Sequence, residues 1–345
     1  MKWIRSIAAI VLLALSASQV KATVKVVTTL PAYASIAAYV AGTRAEVHSI
    51  SRGDEDAHFV KPKPSFALLL KDADLFVTTG LDLELWAPTL VDKSGNKSIR
   101  DGQVGYVNAS QGVPLLDIPS SADRSAGDVH IFGNPHIFTS PLNAKIIAGN
   151  IAAGLERVDP EGSDAYRQAL ASFQREVDDR VFGSELVDAI GGDVLDQLAR
   201  QGRLIEFLES QSLEGNPLLD RLGGWFGAML PLRGRDIVAY HKNWIYFTDL
   251  FGLQVVDYVE PKPGIPPSAK HVHELIERIQ SENIEVLLAA SYFSKQQVEA
   301  ISERTGCTAV RVPMGPESIE RDSYLALVDQ WVQGLINAFG AEMEN

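Results

Sequence analysis

Seven histidines and a single cysteine, Cys307, are the residues here whose chemistry could hold a metal, and the histidines sort by position. His58 lies in DEDAHFVKPKPS, behind three acids and ahead of two prolines that stiffen the loop. His136 sits in the turn GNPHIFTSP, and His241 ends the apolar run IVAYH. Each stands on a loop beside a proline or at a strand end, and in open α/β sheets ligands bind beyond the carboxyl ends of the strands. Three imidazoles drawn from distant segments are what a zinc site needs, with bonds of about 2.0–2.1 Å, and such ligands would clamp the parts that carry them. Taken singly, each reads better as a hydrogen-bonded surface histidine, and no short-range pair such as HExxH supports the triad. His130, in GDVHIFGNPH, reads as an extra ligand or as a solvated loop residue. His48 alternates along a strand, and His271 and His273 lie on a polar helix face, so these three read as structural or solvent-exposed. One cysteine excludes an intramolecular disulfide and any cysteine-rich cluster.

Those loops need strands to hang from. Short β-branched runs separated by helical patterns give four strands in each half. They are expected at Thr23–Leu30, Ala45–Ser51, Ala73–Thr79 and Val104–Ser110, then at Asp236–Tyr240, Gln254–Val259, Val286–Ala290 and Ala309–Pro313. Strand–helix alternation predicts right-handed βαβ units and an α/β fold of two lobes, each a four-stranded parallel sheet flanked by helices. The stretch PEGSDAYRQALASFQREVDDRV carries Tyr166, Leu170, Phe173 and Val177 at three- and four-residue steps, with Ser163 as a capping residue. It predicts one long, rigid linker helix over 161–182 between an N-terminal lobe, 23–160, and a C-terminal lobe, 183–345. The leucine- and glycine-rich stretch 183–230 reads as an atypical run of short helices.

The ends and the composition narrow the setting. Residues 1–22 combine Lys2 and Arg5, an apolar run from Ile7 and the closing Val20-Lys21-Ala22, the pattern of a secretory signal peptide cleaved after Ala22. With no cysteine near that point, lipid attachment is not expected, and the mature chain is expected in the periplasm. Cleavage would leave 28 of the 31 Lys and Arg against 44 Asp and Glu, a net charge of −16. That charge disfavours nucleic acid and attracts cations.

At this point the motifs resemble those of a known family, the periplasmic zinc- and manganese-binding proteins of metal-uptake ABC transporters (the zinc-uptake solute-binding family). DAHFVKPKPS is similar to the family's DPH-x-Y-x-P-x-PS loop, NPHIFTSP to its DPH-x-W-x-DP, and AYHKNWIYFTDLFGL to its H-x-x-x-x-Y-x-x-x-x-FGL. VTTGLDLELW, EPKPGIPPSAKHVHELIERI and YFSKQQVEAISERTG fit further segments, so the likeness spans the mature chain except 183–230. It implies one metal ion in the cleft between two lobes, held by His58 and His136 from the first and His241 from the second. The prolines around His58 would then set its imidazole in place before the metal arrives. Lys61 and Lys63 read as solvation of that loop.

The departures bear on the fourth ligand. Where much of the family places an aspartate, this chain has Val312 in RVPMG; a family glutamate is Ala290, and an acid preceding the first histidine is Ala57. The fourth position is left to water or to a carboxylate from elsewhere, for which Glu260, directly after the sixth strand, is the candidate. Glu260 could equally brace the EPKPGIPP turn through backbone amides.

Three imidazoles favour zinc over manganese, which prefers carboxylate oxygen. The expectation is high-affinity zinc capture and delivery to a membrane permease by a monomer, without catalysis. Release would follow from drawing His241 away from His58 and His136. Two alternatives stay open: a zinc hydrolase using three histidines and a water, with Glu260, Asp56 or Glu55 as base, and a zinc buffer or adhesin without a permease.

Overall fold

A computed structural model describes residues 23–119, 130–262 and 264–340; the signal segment 1–22 lies outside them. In the first half, β1 (Val24–Thr28), β2 (Ala45–Ser49), β3 (Leu75–Thr78) and β4 (Tyr106–Asn108) pair in parallel in the order β2-β1-β3-β4. Val26, Val27, Phe76 and Val77 are all buried, because helices cover both faces, so β3 and the second half of β1 read as apolar on both faces. The helices are α1 (Pro31–Ala41), α2 (Pro64–Lys71), α3 (Ala87–Ser94) and α4 (Pro141–Val158). Proline opens α1, α2 and α4, where its missing N–H costs nothing and its fixed φ suits the first turn.

The expected linker helix is α5, Ser163–Phe182. Tyr166, Phe173, Val177, Val181 and Phe182 form its buried stripe. Ser163 does not cap it: Gly162 holds that position, and the Ser163 hydroxyl instead donates to Pro160 O at 2.8 Å. The 3-10 turn Pro160–Gly162 brings the chain in already helical, leaving no extended residue to act as a cap.

The stretch after it forms α6 (Ser184–Ile190), α7 (Gly192–Arg200) and α8 (Leu204–Ser210), a small antiparallel hairpin of β5 (Ser212–Leu213) and β6 (Asn216–Pro217), and α9 (Gly224–Met229). This unit docks on α4 and α5 through buried charge. Lys145 Nζ lies 2.7 Å from Asp178 Oδ1 and 3.2 Å from Asp196 Oδ2, and Arg200 joins Asp196 to Asn143.

The second sheet repeats the plan. Its strands β7 (Asp236–Ala239), β8 (Gln254–Tyr258), β9 (Val286–Ala290) and β10 (Thr308–Val312) run parallel in the order β10-β9-β7-β8. They alternate with α10 (Ile245–Phe251), α11 (Ala269–Ser281), α12 (Lys295–Thr305) and the closing α13 (Ser323–Ala338). Ser268 and Ser294 cap α11 and α12 by accepting from the amides of His271 and Gln297. All eight expected strands of the two parallel sheets are present, within a residue or two at each end.

The two sheets share one apolar cluster, which includes Val26 and Leu75 of the first, Phe173 of α5, and Leu288 and Val312 of the second. Trp244 and Trp331 meet edge to face within it, 5.3 Å apart. Polar stitches cross the same boundary: the Ser35 hydroxyl donates to Glu320 O and accepts from Tyr324 N, and the Tyr324 hydroxyl donates to Phe138 O.

Candidate metal centre

In each sheet the connections diverge beside the central pair, at β1/β3 and at β7/β9, and the loops leaving those carboxyl ends face one cleft. His58 stands in the loop after β2, His136 between β4 and α4, and His241 two residues past β7. The three rings meet there: His58 and His136 have centroids 5.2 Å apart, His136 and His241 6.2 Å, and His58 and His241 6.4 Å. A fourth imidazole, His130, stands 5.1 Å from His58, with the two Nε2 atoms 3.0 Å apart.

Each of the three expected rings has an oxygen behind its Nδ1. Asp56 Oδ1 accepts from the backbone N–H of His58 at 3.0 Å and faces its Nδ1 at 2.7 Å. Asn134 Oδ1 holds His136 the same way, at 3.0 Å from both nitrogens. His241 Nδ1 faces Glu260 O at a longer 3.4 Å. These acceptors place the ring proton on Nδ1 and leave Nε2 as the lone-pair donor, the arrangement found around metal-bound histidines.

Burial tilts the same groups toward the metal-binding form. It drives the His136 pKa well below the usual histidine value, and positive charge on His58, His241 or His130 would push it further down. His241 is lowered to about 4, first by burial and then by His58. For Asp56, burial raises the pKa, but the hydrogen bonds and charge of His58 outweigh it, so the net shift is downward and the carboxylate stays ionised.

Imidazoles bound to one tetrahedral zinc have ring centres about 5 Å apart, given metal–nitrogen bonds of about 2.0–2.1 Å. His58, His130 and His136 show that spacing from His58 outward, whereas His241 stands roughly 1 Å further out. Among the described residues, accordingly, no set of three or more histidine, cysteine or carboxylate side chains has its donors already gathered as a bound ion requires. One reason is visible at His136, whose Nε2 lies 3.2 Å from the amide nitrogen of Asn243. Asn243 is fully buried; its Nδ2 also donates to the Tyr292 hydroxyl at 2.7 Å, and its Oδ1 has no partner.

Glu260 braces its turn, its Oε1 accepting from Gly264 N at 2.9 Å, and the same oxygen lies 3.8 Å from His241 Nδ1. Its carboxyl is raised above the usual range, chiefly by burial. The segment that replaces the expected aspartate is used for packing. Val312 and Met314 are buried, and Gly315 lies so close to Gly53, in the loop after β2, that a Cβ on Gly53 would collide with its carbonyl.

The other histidines are occupied elsewhere. His48 pairs with Glu46 at 2.9 Å, His271 Nε2 faces Tyr258 O at 2.8 Å, and His273 meets Glu277 at 3.2 Å. Lys61 and Lys63 are exposed, and the Lys63 ammonium lies over the Phe66 ring. Sequence reasoning left His130 open between ligand and solvated loop residue, and it did not single out Asn243 or the orienting acceptors, which the fold brings against the cluster. Two signals were present: HIF occurs twice, at 130–132 and 136–138, and an Asx residue stands two before both His58 and His136.

A family profile described as the periplasmic component A of the zinc-uptake complex matches residues 26–181 and 219–338. The unmatched stretch between them holds α6–α8 and the hairpin. The iron-binding protein YfeA of Yersinia pestis is 25% identical over 325 residues, covering 92% of this chain and 86% of that protein. The manganese ABC transporter substrate-binding lipoprotein PsaA of Streptococcus pneumoniae is 23% identical over 312 residues, covering 88% and 85%. A crystal structure of ZnuA superposes with a TM-score of 0.66 at 20% identity, covering 92% of this chain and 99% of that one, a likeness of fold.

Proposed function

The chain belongs to the family of periplasmic component A proteins of zinc-uptake complexes, the metal-binding members of ABC importers, and from that premise we propose that it captures zinc and delivers it to a membrane permease. Proteins of this family are substrate-binding proteins and not enzymes, which sets the hydrolase alternative aside. They work with a permease and an ATPase and are periplasmic or lipid-anchored. For this chain we propose a cleaved signal segment ending at Ala22, a free periplasmic monomer, and lobes of 23–160 and 183–345 joined by 161–182.

Within the family the named cargoes differ: iron for YfeA, manganese for PsaA, zinc for the family profile itself. The observation that carries the zinc reading is the convergence of His58, His136 and His241, each with an oxygen facing Nδ1. An imidazole-dominated donor set favours zinc over manganese. Glu260 or another nearby donor would complete the coordination.

The test is calorimetric titration of the metal-stripped mature protein with Zn2+, Mn2+ and Fe2+, beside His58→Ala, His136→Ala and His241→Ala. One tight zinc per chain, weakened by every histidine change, supports the reading. A preference for manganese, or tight zinc that survives all three changes, refutes it.

A further inference from the structure

We propose that the fourth donor of this site is His130, with Glu260 left to brace its turn; the proposal rests on the reading of the cleft as a metal site. The geometry starts from Asp56. Its Oδ1 already accepts the backbone N–H of His58 at 3.0 Å and faces Nδ1 of the same ring at 2.7 Å, so the ring proton sits on Nδ1 and Nε2 of His58 is a bare lone pair. His130 Nε2 stands 3.0 Å from that lone pair, and two lone pairs cannot share a hydrogen bond, so His130 carries its proton on Nε2 and donates it. A nitrogen pair bound to one tetrahedral ion at about 2.0–2.1 Å per bond is separated by about 3.3 Å. The separation of the His130 and His58 nitrogens is therefore within a few tenths of an ångström of that between two co-ligands.

To bind, His130 gives its Nε2 proton to water and takes one on Nδ1 from water. The ring stays neutral, the proton count is unchanged, and the bond to His58 is replaced by two bonds to the ion. Glu260 is less well placed. Its Oε1 is engaged by Gly264 N, and it approaches His241 from the Nδ1 side, 3.8 Å away, opposite the nitrogen left to coordinate. Four imidazoles make the site one for zinc and its softer neighbours in the series and discriminate against manganese more sharply than three would.

The experiment uses the whole mature chain loaded with one Zn2+, comparing wild type, His130→Gln, Glu260→Gln and His58→Ala. Glutamine at 130 keeps an N–H to offer His58 but has no imidazole. X-ray absorption counts the imidazoles, and chelator competition gives affinity. The expected result is four imidazoles in the wild type and three in His130→Gln. Affinity should fall at least 10- to 100-fold in His130→Gln and by less than about threefold in Glu260→Gln. Equal imidazole counts and equal affinity in wild type and His130→Gln, with His58→Ala impaired, overturn the role of His130 alone. A wild type that takes up no zinc, or a His58→Ala variant that binds like it, overturns the cleft reading and the His130 proposal together.

Discussion

The amide nitrogen of Asn243 lies 3.2 Å from Nε2 of His136, so a hydrogen-bond donor covers the lone pair that a metal would use. An incoming ion must displace that amide, losing a hydrogen bond worth about 1 kcal/mol. Asn243→Ala is expected to tighten zinc binding about fivefold and to speed association. It should also lower the melting temperature, because the buried Tyr292 hydroxyl loses its donor. Stopped-flow association and calorimetry decide the matter; weaker binding would show that Asn243 helps hold the metal.

Asp56 fixes both the ring orientation and the tautomer of His58 without needing to touch the ion. Asp56→Ala should cost about 10- to 100-fold in zinc affinity while leaving one site per chain. Competition against a chelator of known strength measures this, and an unchanged affinity would remove Asp56 from the site.

Acid should unfold the metal-stripped protein through its buried imidazoles. The pKa of folded His241 lies near 4, against an ordinary 6.5. Between those values the unfolded chain binds a proton that the folded chain does not, so stability rises with pH across the window and is lost as pH falls from about 6.5 towards 4. His241 alone accounts for about 3 kcal/mol of that loss, and His136 shifts in the same direction. Urea unfolding at pH 7 and pH 5 should show the drop, and His241→Gln should flatten it. An identical slope in the variant would contradict this account.

Lys145 is the only cation bonded to Asp178 among the described residues, and it also meets Asp196. Lys145→Met leaves the buried Asp178 carboxylate without a cation, beside Asp196, which keeps Arg200, and should destabilise the fold by about 3 kcal/mol. Adding Asp178→Asn should recover part of that loss. If the single change is silent in denaturant titrations, the charges are not what seats α7 on α4 and α5.

Gly53 is required by a close approach of backbone to backbone. Gly53→Ala drives a methyl group into the Gly315 carbonyl and should cost about 1–3 kcal/mol. It should weaken zinc binding too, since the same loop carries His58. Wild-type stability in the variant would mean the two loops yield freely.

Much of this was legible in the chain because its patterns are local. Strands covered on both faces leave short apolar runs that end close to the true ends, as Val286–Ala290 does. The stripe from Tyr166 to Val177 betrayed α5. Strand-end position picked out His58, His136 and His241 from the seven histidines. The hairpin at Ser212–Pro217 escaped, because two-residue strands have no period to read. The position of His130 against His58 could not be read, because long-range pairing sets it: Asn134 N bonds Leu116 O, and the turn from His130 to Gly133 hangs from that contact. Asn243 looked like an ordinary polar residue two positions past His241, and only the fold aims it at His136.

The shared apolar cluster behind the cleft has a consequence for how cargo leaves. Pulling the sheets apart would wet Val26, Phe173 and Leu288 together, at about 25 cal/mol for every Å2 exposed. A carrier that must reset after every cycle is better served by motion in the hydrogen-bonded loops above that mass. Unloading would then resemble stepwise substitution at a metal complex: one donor would depart, a replacement from a membrane partner would enter, and the loaded state would have a lifetime set by the slowest exchange. Such a protein would be tuned by rate constants at individual nitrogens, with no large hinge angle to adjust.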